Sequence, residues 1–482
     1  MRHSPLRLMS VAAIVAAAGC TQRTPEQQLI HDAAEAMGGQ ARIEAAAVLT
    51  MEGIGTQYNL GQDMRPGLAE QTFTVSAFKR ELEPGQARMR TSQTRTPNFL
   101  YFQGPQAQTQ TAGVDGDVAY NVGANGTPTR AGAAAAGDRR VDQLHHPLRL
   151  LRLALAADAN LSAVRTEGAE RLIDVTTDAG PITLAVGADN RPTRIQSPGT
   201  HINLGDVTLT TTFADYADAD GLQLPTRITT KVDDFTTGTY QVKNTTAASG
   251  SVEAPADAKN AAAPAAPTAN VTVEEVAPGV WFLAGQSHHS AVVAFKDRLV
   301  MIEAPQSEAR SLAAIAKAKE LRPGTPLTHL VMSHHHFDHS TGLRAAIAEG
   351  LTIVTQAGNE AFVKEMAARP FTRQSDALAK APRPVTVEPF ADTTTITDGA
   401  RQLVLYHVTG NPHSDTMLMA YLPRERLLIE VDAFSPGGTY HPYAANLLEH
   451  VQKRKLRVDR IIPLHGAIVP FSALAAAAKP AA

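Results

Sequence analysis

The sequence predicts a two-domain α+β protein: an N-terminal antiparallel β half-barrel with helices, then a C-terminal αββα sandwich. Three observations predict it. Apolar residues alternate with period two, between regularly spaced turn signals, through much of the first half. Residues 249–270 are rich in Ala, Pro, Ser and Thr with almost no large apolar side chain, as in a linker. Beyond them, short apolar runs alternate with helical patterns, which implies two sheets covered by helices.

Each element has a local reason. Thr24-Pro25-Glu26-Gln27 starts a helix, with a threonine cap, proline at the first helical position and glutamine three residues after the cap. Leu29, Ile30, Ala33, Ala36 and Met37 form its apolar stripe, and Gly38-Gly39 ends it. Strands are predicted around Phe73, Val75 and Ala77, at 172–175, around Ile182, Leu184 and Val186, and at 207–213, 226–232 and 237–242. Leu144, Leu148, Leu151 and Leu155 predict a helix over 141–156, and His145-His146 before Pro147 reads as a capping or surface pair. These elements occupy a first domain at 24–248.

The second domain, 271–474, opens with two hairpins, 273–276 with 280–284 and 291–295 with 299–302. Ser307 caps a helix that runs to about Leu321. Strand 327–332, helix 343–348 and strand 351–355 follow, then strands 403–407, 417–422 and 427–431, helix 444–455 and strand 460–463.

At 482 residues the chain is long enough for two or three cores, and its net charge of −3 gives no reason to expect nucleic acid. The longest apolar run near the start, 8–18, follows Arg2 and Arg7 and is too short to span a bilayer, which takes about 20 residues. It reads as the core of a signal peptide at 1–19, ending Ala17-Ala18-Gly19-Cys20. Cys20 is the only cysteine. The arrangement resembles the lipobox of bacterial lipoproteins. That implies a periplasmic protein lipid-anchored through Cys20, with Thr21 favouring the outer membrane.

Chemistry concentrates at Ser333-His334-His335-His336-Phe337-Asp338-His339-Ser340, where four of seventeen histidines fall within six positions after a buried strand. In extended backbone, residues two apart face the same way, so His334 and His336 can share one metal while Asp338 and His339 aim at a second. Imidazole and carboxylate suit zinc, and a catalytic zinc usually takes three protein ligands. The remaining ligands must come from later in the chain. His413 lies in Gly410-Asn411-Pro412-His413, between two strands; Asp432 ends an apolar run; His465 follows Ile461-Ile462-Pro463-Leu464.

With these residues in this order, the C-terminal half resembles the metallo-β-lactamase superfamily. The resemblance implies His334, His336 and His413 on one metal, Asp338, His339 and His465 on a second, and Asp432 bridging both. It implies two Zn2+, with iron or a mixed pair also suited to the ligands, and a metal-bridging hydroxide oriented by the catalytic Asp338. His335 is expected outside the ligand set, and His329 and His407 are expected to be structural. His288-His289 resembles a substrate-flanking position, Asp415 suits a turn or a histidine-orienting role, and Tyr440 and His441 are expected to line the pocket. Glu303 stands where an aspartate is common in the family. Ser340-Thr341-Gly342 and Asn411-Pro412 also depart from its pattern.

The bridging Asp432 and the lack of a cysteine for the second metal point away from the common β-lactamase types. They point toward hydrolysis of a small-molecule ester, thioester, lactone or phosphoester. The alternatives are β-lactam hydrolysis, or a lipid- or lipoprotein-handling tether with a non-catalytic metal domain. The tether reading takes support from Phe213-Ala214-Asp215-Tyr216 and from Asp220-Gly221-Leu222-Gln223-Leu224-Pro225 in the first half. These segments resemble lipoprotein-carrier-like half-barrels and imply either an acyl chain as an N-terminal ligand or a spacer or docking domain without one.

Overall fold

The structure is a computed structural model that describes residues 23–266 and 268–478. The expected signal peptide and Cys20 lie outside the described residues. Among those described, no helix is long and apolar enough to cross a membrane.

The first half is one antiparallel sheet of thirteen strands. Its first strand, Val48–Tyr58, pairs with Thr72–Glu83 on one side and with the last strand, Phe235–Ala247, on the other. From this centre the sheet meanders outward in both directions to Pro128–Arg130 and Arg165–Glu167. The predicted first helix is present as Pro25–Ala36, with the expected capping box. It packs with Gln40–Ala45 and Pro147–Ala154 against one face of the sheet; Leu29, Ile43, Leu148 and Leu151 meet Leu49, Val75, Ile173 and Phe213 there.

Two expectations change here. The helix expected over 141–156 is two helices, Ala133–Asp142 and Pro147–Ala154. The break falls at His146, which is extended because a following proline disfavours helical backbone. Both histidines of the pair are buried rather than surface residues. His146 caps the second helix through Leu148 N at 3.2 Å, and His145 bonds Thr211 and Ser197. The segment read as a linker is, in its first half, laid against the sheet. Val252, Ala254 and Ala258 are buried, and the Ala254 amide donates to Asp115. Small residues permit this close approach.

Two further sheets form the second half. The seven-stranded sheet runs antiparallel from Thr272–Ala277 through Val280–Ala284 and Ser290–Ala294 to Leu299–Ile302. It continues parallel through Leu327–Val331 and Thr352–Gln356 to Val387–Phe390. The six-stranded sheet runs Thr393–Thr397, Gln402–His407, Leu418–Leu422, Leu427–Glu430, Arg460–Pro463 and Val469–Pro470. Strand residues buried on both faces explain the near-continuous apolar runs in the sequence. Between the sheets lie Phe282, Val293, Val300 and Val331 against Leu405, Leu418, Ile429 and Ile462. Helices Glu308–Glu320, Leu343–Ala348 and Glu360–Ala368 cover the outer face of the first sheet, and Ala444–Lys453 and Phe471–Ala477 that of the second. The layers are therefore αββα.

The halves share apolar contact. Leu204 and Val207, from the N-terminal sheet, belong to the same buried cluster as Leu283, Met301 and Ile347. Around them Arg369 Nε donates to Leu204 O at 2.7 Å, and the Asp206 carboxylate accepts from the Thr372 and Arg373 amides at 2.8 and 3.0 Å. Leu204→Ala is expected to cost about 2–5 kcal/mol and to lower the urea midpoint read from Trp281 emission, although Leu204 lies in the other half of the chain. A Trp281 midpoint that stays at the wild-type value would show that the halves unfold independently.

Candidate metal centre

The residues of the predicted site lie on connections that leave strands of the αββα half. Leu327–Val331 delivers His334 to His339, Leu427–Glu430 delivers Asp432, and Arg460–Pro463 delivers His465. His413 sits on the connection from Gln402–His407 to Leu418–Leu422. In open α/β sheets such strand ends form the crevice where ligands bind.

The side chains converge. His336 Nδ1 lies 3.0 Å from His413 Nε2, and His339 Nε2 lies 3.2 Å from His465 Nε2. Asp432 sits among them. Its Oδ2 is 2.8 Å from His413, 3.1 Å from His339 and 3.5 Å from His334, and its Oδ1 is 2.8 Å from His465. Two potential cation-holding groups result: His334, His336, His413 and Asp432, and His288, Asp338, His339 and His465. The first gathers His334, His336 and His413 with Asp432, and the second gathers Asp338, His339 and His465 with His288, while Asp432 Oδ1 also reaches His465.

Each histidine of the 334–339 loop is anchored from outside. His334 Nδ1 bonds Ser333 Oγ at 2.9 Å, His336 Nε2 donates to Asp63 O at 3.0 Å, and His339 Nδ1 donates to Glu303 Oε2 at 2.9 Å. For His336 and His339 the outer partner is an oxygen that accepts, which puts a proton on the outer nitrogen and turns the other nitrogen inward. Burial lowers the pKa of His334 to about 3 and that of His336 well below the usual value, so both stay neutral. Burial also opposes protonation of His339, but the Asp432 and Asp338 carboxylates outweigh it and raise its pKa well above the usual value. Desolvation likewise resists ionisation of Asp432, and the neighbouring His339 and His465 overcome it, holding the carboxyl well below its usual range.

These residues fit divalent cations. His334 Nε2 is fully buried, points toward Asp432 and has no hydrogen-bond partner, although an orphaned buried nitrogen is costly. Pairs of ring nitrogens also face one another at about 3 Å. A cation between such donors satisfies all of them, and the imidazole–carboxylate set suits zinc or iron.

The residues expected outside the ligand set take varied places. His335 is buried and pairs with Asp63 Oδ1 at 3.2 Å and Thr416 Oγ1 at 3.3 Å. His329 lies on its strand, and His407 donates to Asp415 O at 2.7 Å, both away from the cluster. Asp415 meets Met64 O through its own amide, which suits the turn reading. His288 stands 3.2 Å from Asp338 Oδ2 with its ring stacked edge-on to His465, whereas His289 Nδ1 accepts from the Gly285 amide. Tyr440 is partly exposed, and His441 packs on Phe434. It is Tyr443 whose ring lies 5.0 Å from that of His413, with its hydroxyl donating to Leu100 O.

Sequence reasoning missed Gln62, Asp63 and Tyr443, and it noted Glu303 only as a departure from a pattern. Glu303 adopts φ of 64°, a strained conformation for a side-chain-bearing residue. It uses both oxygens: Oε1 takes the Ser333 amide at 2.7 Å and Oε2 takes His339. That unusual backbone places its carboxylate beneath the loop.

No protein-family model and no curated protein matches the sequence. Solved structures similar to the chain include the DIM-1 metallo-β-lactamase, at 16% identity and TM-score 0.36, covering 43% of this chain and 95% of that one. A metallo-β-lactamase from Pontibacter korlensis aligns at 18% identity and TM-score 0.35, over 43% of this chain and 97% of its own. The FIM-1 enzyme from Pseudomonas aeruginosa, in its mono-zinc form, aligns at 16% identity and TM-score 0.35, over 44% and 94%. The αββα layering stands on the strand order and packing described above, independently of these scores.

Glu303→Gln leaves one acceptor oxygen where two donors point. It is expected to weaken metal binding by about 10–100-fold, measured by competition with a chelator. Wild-type affinity in that variant would remove Glu303 from the support of His339.

Proposed function

We propose that the chain is a metal-dependent hydrolase of the metallo-β-lactamase superfamily, with a site for two divalent cations. The observation that carries this reading is the convergence on Asp432 of His334, His339, His413 and His465, with His336 and Asp338 beside them, from the 334–339 loop and two other connections of the αββα half. His334, His336 and His413 would hold one cation, Asp338, His339 and His465 the other, and Asp432 would reach both. Such cations supply Lewis acidity toward a carbonyl or phosphoryl oxygen and acidify water.

The chain's own groups supply the rest. Asp338 is aimed by Gln62 Nε2, which donates to Oδ1 at 2.8 Å, leaving Oδ2 toward His288 and His339. A cleft of about 470 Å3 opens beside Asp338, walled by Tyr101, Phe102, Ile202 and Phe337 with Gln306 at its edge. Phe102 and Ile202 are more than half exposed, and apolar side chains at a polar reaction centre favour a substrate with an apolar or aromatic portion. An ester, thioester, lactone or phosphoester fits this description. β-Lactam hydrolysis is the weaker reading, because Asp432 occupies the position between the two groups and the sole cysteine, Cys20, is remote in sequence from every ligand.

We also propose a periplasmic location, with the chain tethered through a lipidated Cys20 to the outer membrane. The cavity of about 320 Å3 on the N-terminal sheet, where Met51, Phe78, Ile228 and Tyr240 meet, is the place for an acyl chain in this reading. Expressed in bacteria, Cys20→Ser should move the protein from the membrane to the soluble fraction, and a variant that stays with membranes would remove the anchor.

The hydrolase reading is tested on the full chain by metal content and by turnover of ester, thioester, lactone, phosphodiester and β-lactam substrates. His413→Ala should lose metal and lower kcat by more than the roughly 100-fold that loss of an outer partner costs. A wild-type protein holding two cations yet inert on all five substrates would favour the tether, and unchanged activity in His413→Ala would remove the site assignment.

A further inference from the structure

The loop between the first two strands of the N-terminal sheet reaches into the metal centre of the other half. Four consecutive residues make contact. Gly61 O accepts from the Phe337 amide at 3.2 Å, Gln62 Nε2 donates to Asp338 Oδ1 at 2.8 Å, and Asp63 O accepts from His336 Nε2 at 3.0 Å. Asp63 Oδ1 meets His335 Nε2 at 3.2 Å, and Met64 O accepts from the Asp415 amide at 2.6 Å. Gly61 fits because it has φ of +73° and no Cβ; a Cβ there would lie 2.3 Å from the Phe337 ring. A second strand connection of the same sheet braces the histidine loop, with Asn203 Nδ2 donating to Phe337 O at 3.0 Å and to Ser340 Oγ at 3.3 Å.

We infer that Gln62 and Asp63 are positioning residues of the metal centre, so that the N-terminal sheet is a built part of the hydrolase site; this rests on the metallohydrolase reading above. Asp338 and His336 belong to different cation groups, and each takes its outer hydrogen bond from this loop. Without the Gln62 amide, Asp338 is free to turn both oxygens inward. Without Asp63, His335 loses the partner that clamps the loop, and the carbonyl that sets the His336 tautomer loses its place. This also explains a histidine at 335. It is buried between Asp63 and Thr416, and its contacts fasten one half of the chain to the other rather than to a cation.

The test uses the full chain, stripped of metal and titrated with Co2+, with visible d–d bands and chelator competition as readouts. Gln62→Leu keeps the size of the side chain and removes its donor. It should weaken one of the two cobalt ions by about 10–100-fold, alter its d–d bands, and lower kcat on any substrate turned over more than it raises KM. Asp63→Ala should perturb the other ion, whereas Asp63→Asn, whose carbonyl still accepts from His335, should restore it. Far-UV circular dichroism and Trp281 emission identify folded variants, and Gln62→Leu and Asp63→Asn are mild enough to fold. Wild-type cobalt affinity and spectra in both Gln62→Leu and Asp63→Ala overturn this inference and leave the hydrolase reading standing. A wild-type chain that takes up no cobalt, or a His413→Ala variant that takes it up unchanged, overturns both.

Discussion

The site depends on one repeated interaction, a hydrogen bond to the outward nitrogen of His334, His336 and His339 in the 334–339 loop. An imidazole has two nitrogens, and it is a ligand only if the proton sits on the far one. Asp63 and Glu303 place a proton on the outer nitrogens of His336 and His339, Ser333 holds the outer nitrogen of His334, and the three come from different parts of the chain. The inward nitrogens then share a small volume with Asp432 and Asp338, where desolvation alone would neutralise both carboxyls. The surrounding histidines reverse that and keep them ionised. The cluster holds together as a set, because each member makes its neighbours' charge state affordable.

Such a set needs rigid support, and the αββα layers provide it. The loop leaves a strand buried in the middle of its sheet, next to a parallel neighbour whose own end carries Glu303. The second sheet brings Asp432 and His465 on adjacent parallel strands, so their spacing is the spacing of hydrogen-bonded neighbours. The N-terminal sheet adds a third support. Its connections near residues 61–64 and 201–207 meet the loop, and Leu204 and Val207 bury themselves in the core of the other half. The first half of the chain is thus a wall of the cleft, carrying Tyr101, Phe102 and Ile202, and not a separate body on a string.

Much of this was legible in the residues. The central strands of the αββα half are buried on both faces, so their apolar runs stand out, and the capping residues Thr24 and Ser307 act where expected. The N-terminal sheet was harder. Strands such as Arg88–Pro97 are half-buried and rich in Arg and Thr, so they carry no clean alternation. The helix read across 141–156 failed because its leucine spacing continues smoothly past the break, while the backbone obeys Pro147. Tyr440 and Tyr443 lie three residues apart in one loop, and nothing local says which ring turns toward His413.

The sequence by itself determined which candidate ligand groups the chain carries and in what order. Their spacing within 334–339 is a matter of local backbone geometry, and their placement after apolar runs sets them at strand ends. Only the tertiary structure decided how those groups are held. Gln62 and Asp63 come from more than 270 residues away, and a hydrogen bond between distant segments leaves no period or spacing in the chain. It exists only once Leu204, Val207 and the glycine at 61 have brought the two halves into contact.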